Sequence, residues 1–187
     1  MGHHRADVVD AAVRLLDEVG LEALTMRRLA GTLGVRPSAL YHHFSGKDAL
    51  LGAVADEVLD RGRRPTEVVA WQAELRLVCV ELRDIMLAHR DGAALMARAR
   101  SLGVGAAEPM NRMASALRWA GAEDEVARVG ARTLFHYVYG HVADEQTQQQ
   151  SAGDGEVGPP ASLDFSVGLS MVLDGLATRM GLPAGAG

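Results

Sequence analysis

Apolar residues recur at intervals of three and four along most of the chain, and no convincing alternation of apolar and polar residues marks a β-strand. Such intervals place side chains on one face of an α-helix. Glycine, proline and short polar turns separate the amphipathic segments and set the predicted helix ends. The pattern therefore predicts an all-α protein. The predicted helices cover 5–19, 26–33, a short segment that begins at Pro37, then 47–64, about 66–89, 93–102, about 107–120, 123–149 and about 163–180.

Local signals support the helix ends in the first part of the chain. Thr25 is placed to cap the second helix, and Gly34 is placed to end it. Pro37 suits the first turn of the third helix, where a missing N–H costs nothing. Ser45 followed by Asp48 has the spacing of a capping box, which predicts the start of the fourth helix.

Composition limits the class of protein. Of 187 residues, 48% are hydrophobic and 23% are charged, which excludes a wholly disordered chain and allows one or two domains. No stretch approaches the roughly 20 apolar residues that span a bilayer, so we expect a soluble, cytoplasmic protein without a membrane partner. A single cysteine, Cys79, excludes an intramolecular disulfide and a multi-cysteine metal site. The polar, Gly- and Pro-rich stretch 150–162 predicts a mobile loop.

The distribution of charge matters more than the net charge of −5, which alone argues weakly against nucleic-acid binding. Residues 1–64 hold nine basic and nine acidic side chains, so the whole negative excess lies after Arg64. The window 27–47 contains four basic residues and no acidic one. Binding to phosphates depends on such a local patch. A solvated basic loop is the alternative interpretation.

Residues 25–43 combine two short predicted helices and a tight turn, which is the geometry of a helix-turn-helix. The second helix of such a motif enters the major groove, where side chains reach phosphates and base edges. Lys47, in the first turn of the next helix, would add a phosphate contact. A helical hairpin inside a bundle core is the alternative. The candidate DNA-contacting residues are Arg27, Arg36, Pro37, Ser38, Ala39, Tyr41, His42, His43 and Lys47.

The segment GLEALTMRRLAGTLGVRPSALYHHFSGKDALL resembles the DNA-binding segment of the tetracycline-repressor (TetR) family. The run from Tyr41 to Phe44, followed by Lys47 and a leucine pair, carries the resemblance. WQAELR, HRDGA, GHVADEQ and FSVGL…DGL extend it toward the tetracycline repressors proper. The resemblance implies a three-helix helix-turn-helix domain at 1–48 with a linking helix at 47–64. It also implies an effector-binding and dimerisation domain at 65–187.

The resemblance further implies that helices 123–149 and 163–180 pair with those of a second copy. Gly168 and Gly175, seven residues apart on one face, would permit close backbone approach to the second copy there. The alternative is that these glycines are ordinary weak points of a helix.

The positions that would hold magnesium and tetracycline in such a repressor carry other residues here. The expected histidines fall at Met96 and Arg63, and the expected asparagine and phenylalanine fall at Val78 and Leu82. Magnesium prefers carboxylates and waters, and none of these side chains offers it an oxygen. We therefore predict no metal and no cofactor.

A methionine-rich apolar lining remains, which fits a hydrophobic effector. Plain hydrophobic core is the alternative for each of its members. The candidate pocket residues are Val78, Leu82, Met86, Met96, Met113, Leu134 and Val138, with Arg100, His136, Tyr139 and Asp144 as polar contacts.

The sequence thus predicts a homodimeric, ligand-responsive transcriptional regulator, more a repressor than an activator. It would bind a near-palindromic double-stranded operator and leave it when a small hydrophobic effector binds. The alternative is a dimeric small-molecule binding module with vestigial DNA binding. We expect no enzyme, because Cys79 lies in an apolar run and the carboxylates of Asp144 and Glu145 diverge on a helix.

Overall fold

The computed structural model describes residues 4–64, 67, 69–151 and 161–182. Within these ranges the chain forms nine α-helices and no β-strand, which confirms the all-α prediction. The helices are α1 (Arg5–Val19), α2 (Met26–Thr32), α3 (Pro37–Tyr41), α4 (Lys47–Gly62), α5 (Trp71–Ala88), α6 (Gly92–Ser101), α7 (Glu108–Trp119), α8 (Asp124–Ser151) and α9 (Ala161–Arg179).

The helix ends follow the predicted signals with one exception. The Thr25 side chain accepts a hydrogen bond from the backbone N–H of Arg28 at 3.1 Å, as predicted for a cap of α2. Gly34 follows α2 with a φ of 66°, a conformation that glycine adopts without strain. The predicted capping box at Ser45 is wrong. Helix α4 begins at Lys47, as predicted, but its N-cap is Gly46 and no side chain caps it, so Asp48 is one position short of the box.

Two predicted boundaries involve residues outside the described ranges. Helix α5 begins at Trp71, five residues after the predicted start, and residues 65, 66 and 68 lie outside the description. Helix α8 continues to Ser151 and α9 begins at Ala161, so both helices take residues from the predicted loop 150–162. The rest of the predicted loop, residues 152–160, lies outside the described residues.

The chain divides into two compact units, and the first comprises Met1–Arg63 with Asp84–Ala107. Its core is formed by leucines that are almost fully buried, among them Leu16, Leu29 and Leu50. The turn between α5 and α6 contacts the end of α1. His89 Nδ1 lies 3.1 Å from both carboxylate oxygens of Asp17. The first unit therefore includes α6 as well as the four N-terminal helices.

The segment that follows α6 packs against the middle of α4. Asp56 accepts a hydrogen bond from the backbone N–H of Ala106 at 2.8 Å. Gly52 lies directly against the backbone of Val104, where a Cβ atom would come within 2.8 Å of the carbonyl carbon. This contact has no room for a side chain on α4.

The second unit comprises Arg64–Arg83 and Glu108–Gly187. Helices α8 and α9 pack closely, and the Tyr137 hydroxyl donates to the carbonyl oxygen of Phe165 at 2.7 Å. Gly168 lies against the Tyr137 ring, with Cε2 3.1 Å from where its Cβ would be. Its close contact is therefore within the chain, which differs from the predicted contact with a second copy. Gly175 has no neighbour within 4 Å of a Cβ, so its predicted role stays a prediction.

A charged cluster joins α5 to α7 in the second unit. Glu81 is only 3% exposed, and its carboxylate accepts hydrogen bonds from the Arg64 backbone N–H at 2.8 Å and from Arg112 Nη1 at 2.7 Å. Arg112 Nε also donates to Glu74 at 3.0 Å. Burial lowers the pKa of Arg112, but the hydrogen bonds to Glu81 and Glu74 outweigh it, so the pKa is raised overall. The cluster keeps a buried carboxylate paired.

The predicted domain boundary stays a prediction. The compact units assign residues 84–107 to the first unit, whereas the predicted second domain includes them. The units describe packing within the chain, and a domain boundary is a statement about independent folding.

Candidate nucleic-acid interface and small-molecule pocket

Helices α2 and α3 meet through a short turn. The backbone N–H of Val35 donates to the Ala30 carbonyl at 3.0 Å, which closes the turn after α2. Leu29 and Ala30 on α2 and Leu40 on α3 are buried. The N–H groups of His43 and Phe44 both donate to the Leu40 carbonyl at 3.0 Å and close α3. These contacts form a helix-turn-helix.

The residues predicted to contact DNA lie together on this motif and just beyond it. Tyr41 is 55% exposed, although tyrosine is usually more buried. An exposed aromatic with a hydroxyl group can bond a phosphate or a base edge. Arg27, Arg36, Pro37, Ser38, Tyr41 and His42 are exposed, and Ala39, His43 and Lys47 are half-buried.

The basic side chains of the motif differ from other arginines of the first unit in their partners. Arg61 pairs with Asp10 and Glu57, and Arg98 pairs with Asp48. Among the residues that the structure describes, no ion pair is recorded for Arg27, Arg28 or Arg36. Positive charge on the motif is thus available to an anion.

Lys47 has an additional contact that the sequence did not predict. Its ammonium group donates to the carbonyl oxygen of Leu21 at 3.0 Å. The backbone N–H of Leu21 in turn donates to the Asp91 carboxylate at 2.8 Å. An ammonium group has three donors, so two stay available for a phosphate. Nothing in the local pattern around Lys47 indicates a partner 26 residues away.

The predicted pocket residues fall into two sets. The apolar ones are at most 1% exposed, with Met86 and Met96 in the first unit and the others in the second. Of the predicted polar contacts, Arg100 and Tyr139 are half-buried, whereas His136 and Asp144 are exposed in the single chain. The apolar set is Val78, Leu82, Met86, Met96, Met113, Leu134 and Val138.

Two surface grooves flank α7 and contain none of the predicted pocket residues. One has a volume of about 580 Å³ and includes the exposed Trp119. The other has about 650 Å³ and includes Arg118 and Arg128. Both include Asn111 and Ser115, so the polar face of α7 separates them. Within the described ranges, no group of three or more His, Cys, Asp or Glu residues is placed to hold a metal ion.

Comparison with known families identifies both parts of the chain. Residues 8–54 match the model of bacterial regulatory proteins of the tetR family. Residues 64–164 match the model of the tetracyclin repressor-like C-terminal domain. The chain belongs to the tetR family. The first match contains the whole helix-turn-helix, and the expected family is confirmed.

Individual members of the tetR family agree with this assignment. Tetracycline repressor protein class A from transposon 1721 of Escherichia coli is 33% identical, over 92% of this chain and 89% of that protein. The crystal structure of Mycobacterium smegmatis BioQ is 41% identical, with a TM-score of 0.87, over 95% and 99% of the two chains. BioQ with its natural double-stranded DNA operator is 40% identical, with a TM-score of 0.81, over 94% and 98%.

As a tetR-family member, the chain is a ligand-responsive DNA-binding transcriptional repressor, which confirms the predicted function. The alternative of a binding module with vestigial DNA binding is not favoured. Regulators of the tetR family are generally transcription factors without enzymatic activity. No helix in the described part of this chain is long and apolar enough to cross a membrane.

Cys79 is fully buried in this tetR-family chain, and burial raises the pKa of its thiol to about 12 from an ordinary 9.0. The unfolded thiol ionises near pH 9 while the folded one stays protonated, so stability is lost as the pH rises between these values. We expect Cys79 to contribute a loss of about 1.4 kcal/mol per pH unit in this window. Urea unfolding of wild type and Cys79→Ala from pH 8 to about pH 12 measures this slope. Parallel pH profiles of the two proteins would contradict the expectation.

Proposed function

We propose that this tetR-family chain acts as a homodimer on a near-palindromic operator and leaves it when a hydrophobic effector binds. The observation that carries the proposal is the helix-turn-helix whose exposed arginines have no recorded ion pair in the described structure. The similarity to BioQ with its operator supports it. On this proposal the protein is cytoplasmic, where its DNA lies, and it is not an enzyme.

Each candidate DNA-contacting residue of the motif has a role on this proposal. Arg27 and Arg36 contact phosphates or base edges as charged donors. Ser38, Tyr41, His42 and His43 contact them as polar groups. Pro37 and Ala39 offer apolar contact, for example to a thymine methyl group. We further propose that residues 1–48 with the linking helix 47–64 form the DNA-binding domain, and that 65–187 form the effector-binding and dimerisation domain.

The proposed dimer face lies on α8 and α9. Leu163, Val167 and Met171 recur every fourth residue on α9 and are 62%, 47% and 68% exposed. Val129 on α8 is 47% exposed. Exposed apolar side chains along one helix face are typical of a surface that a partner covers. Gly175, open in the single chain, would allow close approach of the second copy.

The effector is proposed to lie among the buried methionine and aliphatic residues, with Arg100, His136, Tyr139 and Asp144 as polar contacts. A tetracycline–magnesium complex held in the known arrangement does not fit Met96, Val78 and Leu82, which offer no side-chain oxygen. Effector binding would favour a conformation whose half-site spacing mismatches the operator, so that affinity for DNA falls.

Selection from a random-sequence pool of duplexes tests the proposal. We expect enrichment of a near-palindromic sequence, and a gel shift with it that runs as one dimer complex. A thermal-shift screen of apolar small molecules should then find compounds that raise the unfolding temperature with the logarithm of their concentration. The same compounds should release the enriched duplex. A pool in which no palindrome is enriched would count against DNA regulation.

Replacing Lys47 with alanine is expected to weaken binding to all DNA sequences alike. On this proposal the only part of the DNA that its ammonium contacts is phosphate, and phosphates carry no sequence information. A dimer loses two phosphate contacts, one per copy, so the slope of log affinity against log salt should become shallower by about 1.8. Fluorescence anisotropy with the enriched duplex and with a mixed-sequence duplex measures the affinity and its salt dependence. Lys47→Arg, which keeps the charge, is the control, and a loss confined to the enriched duplex would contradict the role.

A further inference from the structure

We propose that Arg5, the first residue of α1, is an additional phosphate-contacting residue at the edge of the helix-turn-helix. The inference rests on the proposed DNA-binding function and extends the DNA surface beyond the motif itself. Arg5 lies far from α3 in sequence, and neither its spacing nor its neighbours in the chain indicate a role.

A contact with Phe44 brings Arg5 to the motif. Its guanidinium carbon lies 4.7 Å from the centre of the Phe44 ring. Phe44 follows His43 and closes α3 through its backbone N–H, and its side chain is 3% exposed. Lys47, the first residue of α4, comes three positions later. The charge of Arg5 therefore lies beside a segment with proposed DNA contacts on both sides.

The contact with Phe44 leaves hydrogen-bonding groups of Arg5 available. A guanidinium carries five N–H donors, and attraction to a ring face does not pair them with a carboxylate or carbonyl acceptor. Arg5 is exposed, so these donors can reach solvent or a ligand. Because the contact with the ring already restricts the Arg5 side chain, less side-chain freedom is lost when a phosphate binds.

Neither an ion pair nor the helix dipole explains why an arginine stands at this position. Arg61 and Arg98, in the same unit, pair with carboxylates, whereas no ion pair is recorded for Arg5 among the described residues. A cation in the first turn of a helix also opposes the helix dipole. The anion that stabilises this end of α1 is Asp7, which accepts the His4 backbone N–H at 2.7 Å. Neither an ion pair nor helix stability accounts for an arginine here.

A structural role is the competing explanation, since the Arg5 side chain covers the Phe44 ring. Three variants distinguish this structural role from contact with a phosphate. Arg5→Met keeps an apolar cover on the ring and removes the charge. Arg5→Lys keeps the charge and changes the contact with the ring. Arg14→Met removes a charge from another exposed position of α1, for which the described structure also records no ion pair.

The measurement is the salt dependence of binding by full-length dimers to the duplex that wild type enriches from a random pool. Because a dimer has two copies of Arg5, Arg5→Met should make the slope of log affinity against log salt shallower by about 1.8. Between 50 and 200 mM salt, wild type should then lose roughly 12-fold more affinity than Arg5→Met. Arg5→Lys and Arg14→Met should keep the wild-type slope, and thermal unfolding should change little in all three.

The outcomes distinguish this inference from the proposed function. A wild-type slope in Arg5→Met, with or without a lower unfolding temperature, overturns the role of Arg5 and leaves it as a cover for Phe44. Equal flattening in Arg14→Met overturns it too, because the effect would then follow net charge. If wild type enriches no duplex, the proposed function fails together with this inference.

Discussion

Replacing Arg112 with methionine is expected to lower the free energy of unfolding by about 3 kcal/mol. Glu81 is 3% exposed, and Arg112 Nη1 is 2.7 Å from its carboxylate. Removing one partner of a buried ion pair leaves the other charge in a medium that solvates it poorly. The Arg64 backbone N–H still donates to Glu81, which places the loss at the lower end for such changes. Urea unfolding measures it.

Arg118→Met provides the matched control on the same helix. Arg118 also forms an ion pair, with Asp124 at 2.6 Å, but the two side chains are 49% and 88% exposed. Exposed pairs contribute little, so a change below about 1 kcal/mol is expected. Combining Arg112→Met with Glu81→Gln should recover most of the stability, since no buried charge remains and the amide oxygen can still accept from Arg64. An Arg112→Met protein as stable as wild type would contradict the importance of the pair.

The charged cluster also illustrates what the sequence could not predict. The helix bounds follow from periodicity, a local signal that survives folding, and α1 spans the predicted 5–19. Arg112 and Glu81 are 31 residues apart and on different helices, so their contact depends on how α5 and α7 pack. The link between Leu21 and Asp91 joins residues 70 positions apart. Nothing in a single sequence ties such residues together.

The sequence also cannot separate two roles that require the same type of residue. Met86 and Met113 are fully buried, as a core or an apolar pocket would both require. Burial therefore does not distinguish the two interpretations of the predicted pocket. Gly168 was predicted to face a second copy, but the same small residue serves the packing of Tyr137 within the chain. The helix-turn-helix was easier to predict because its exposed basic residues would be costly in a core.

Replacing Gly52 with alanine is expected to lower the free energy of unfolding by about 2 to 3 kcal/mol. The added Cβ would collide with the carbonyl oxygen of Val104 and lie 2.8 Å from its carbonyl carbon. The Cβ belongs to helix α4 and meets the backbone of Val104, which cannot move aside as a flexible side chain would. Ala106, held to Asp56 at 2.8 Å, fixes the same segment from its other end. Helix α4 must then shift or the segment after α6 must detach from it.

Gly31→Ala separates this collision from the general effect of replacing a helical glycine. A Cβ at Gly31, in the exposed part of α2, meets nothing within 4 Å. That variant should be more stable than wild type by about 0.5 kcal/mol, because alanine loses less conformational freedom on folding. Since Lys47 begins α4, Gly52→Ala should also weaken DNA binding under conditions in which the protein stays folded. Thermal unfolding that is equal in both glycine variants would mean that the segment after α6 moves aside without cost.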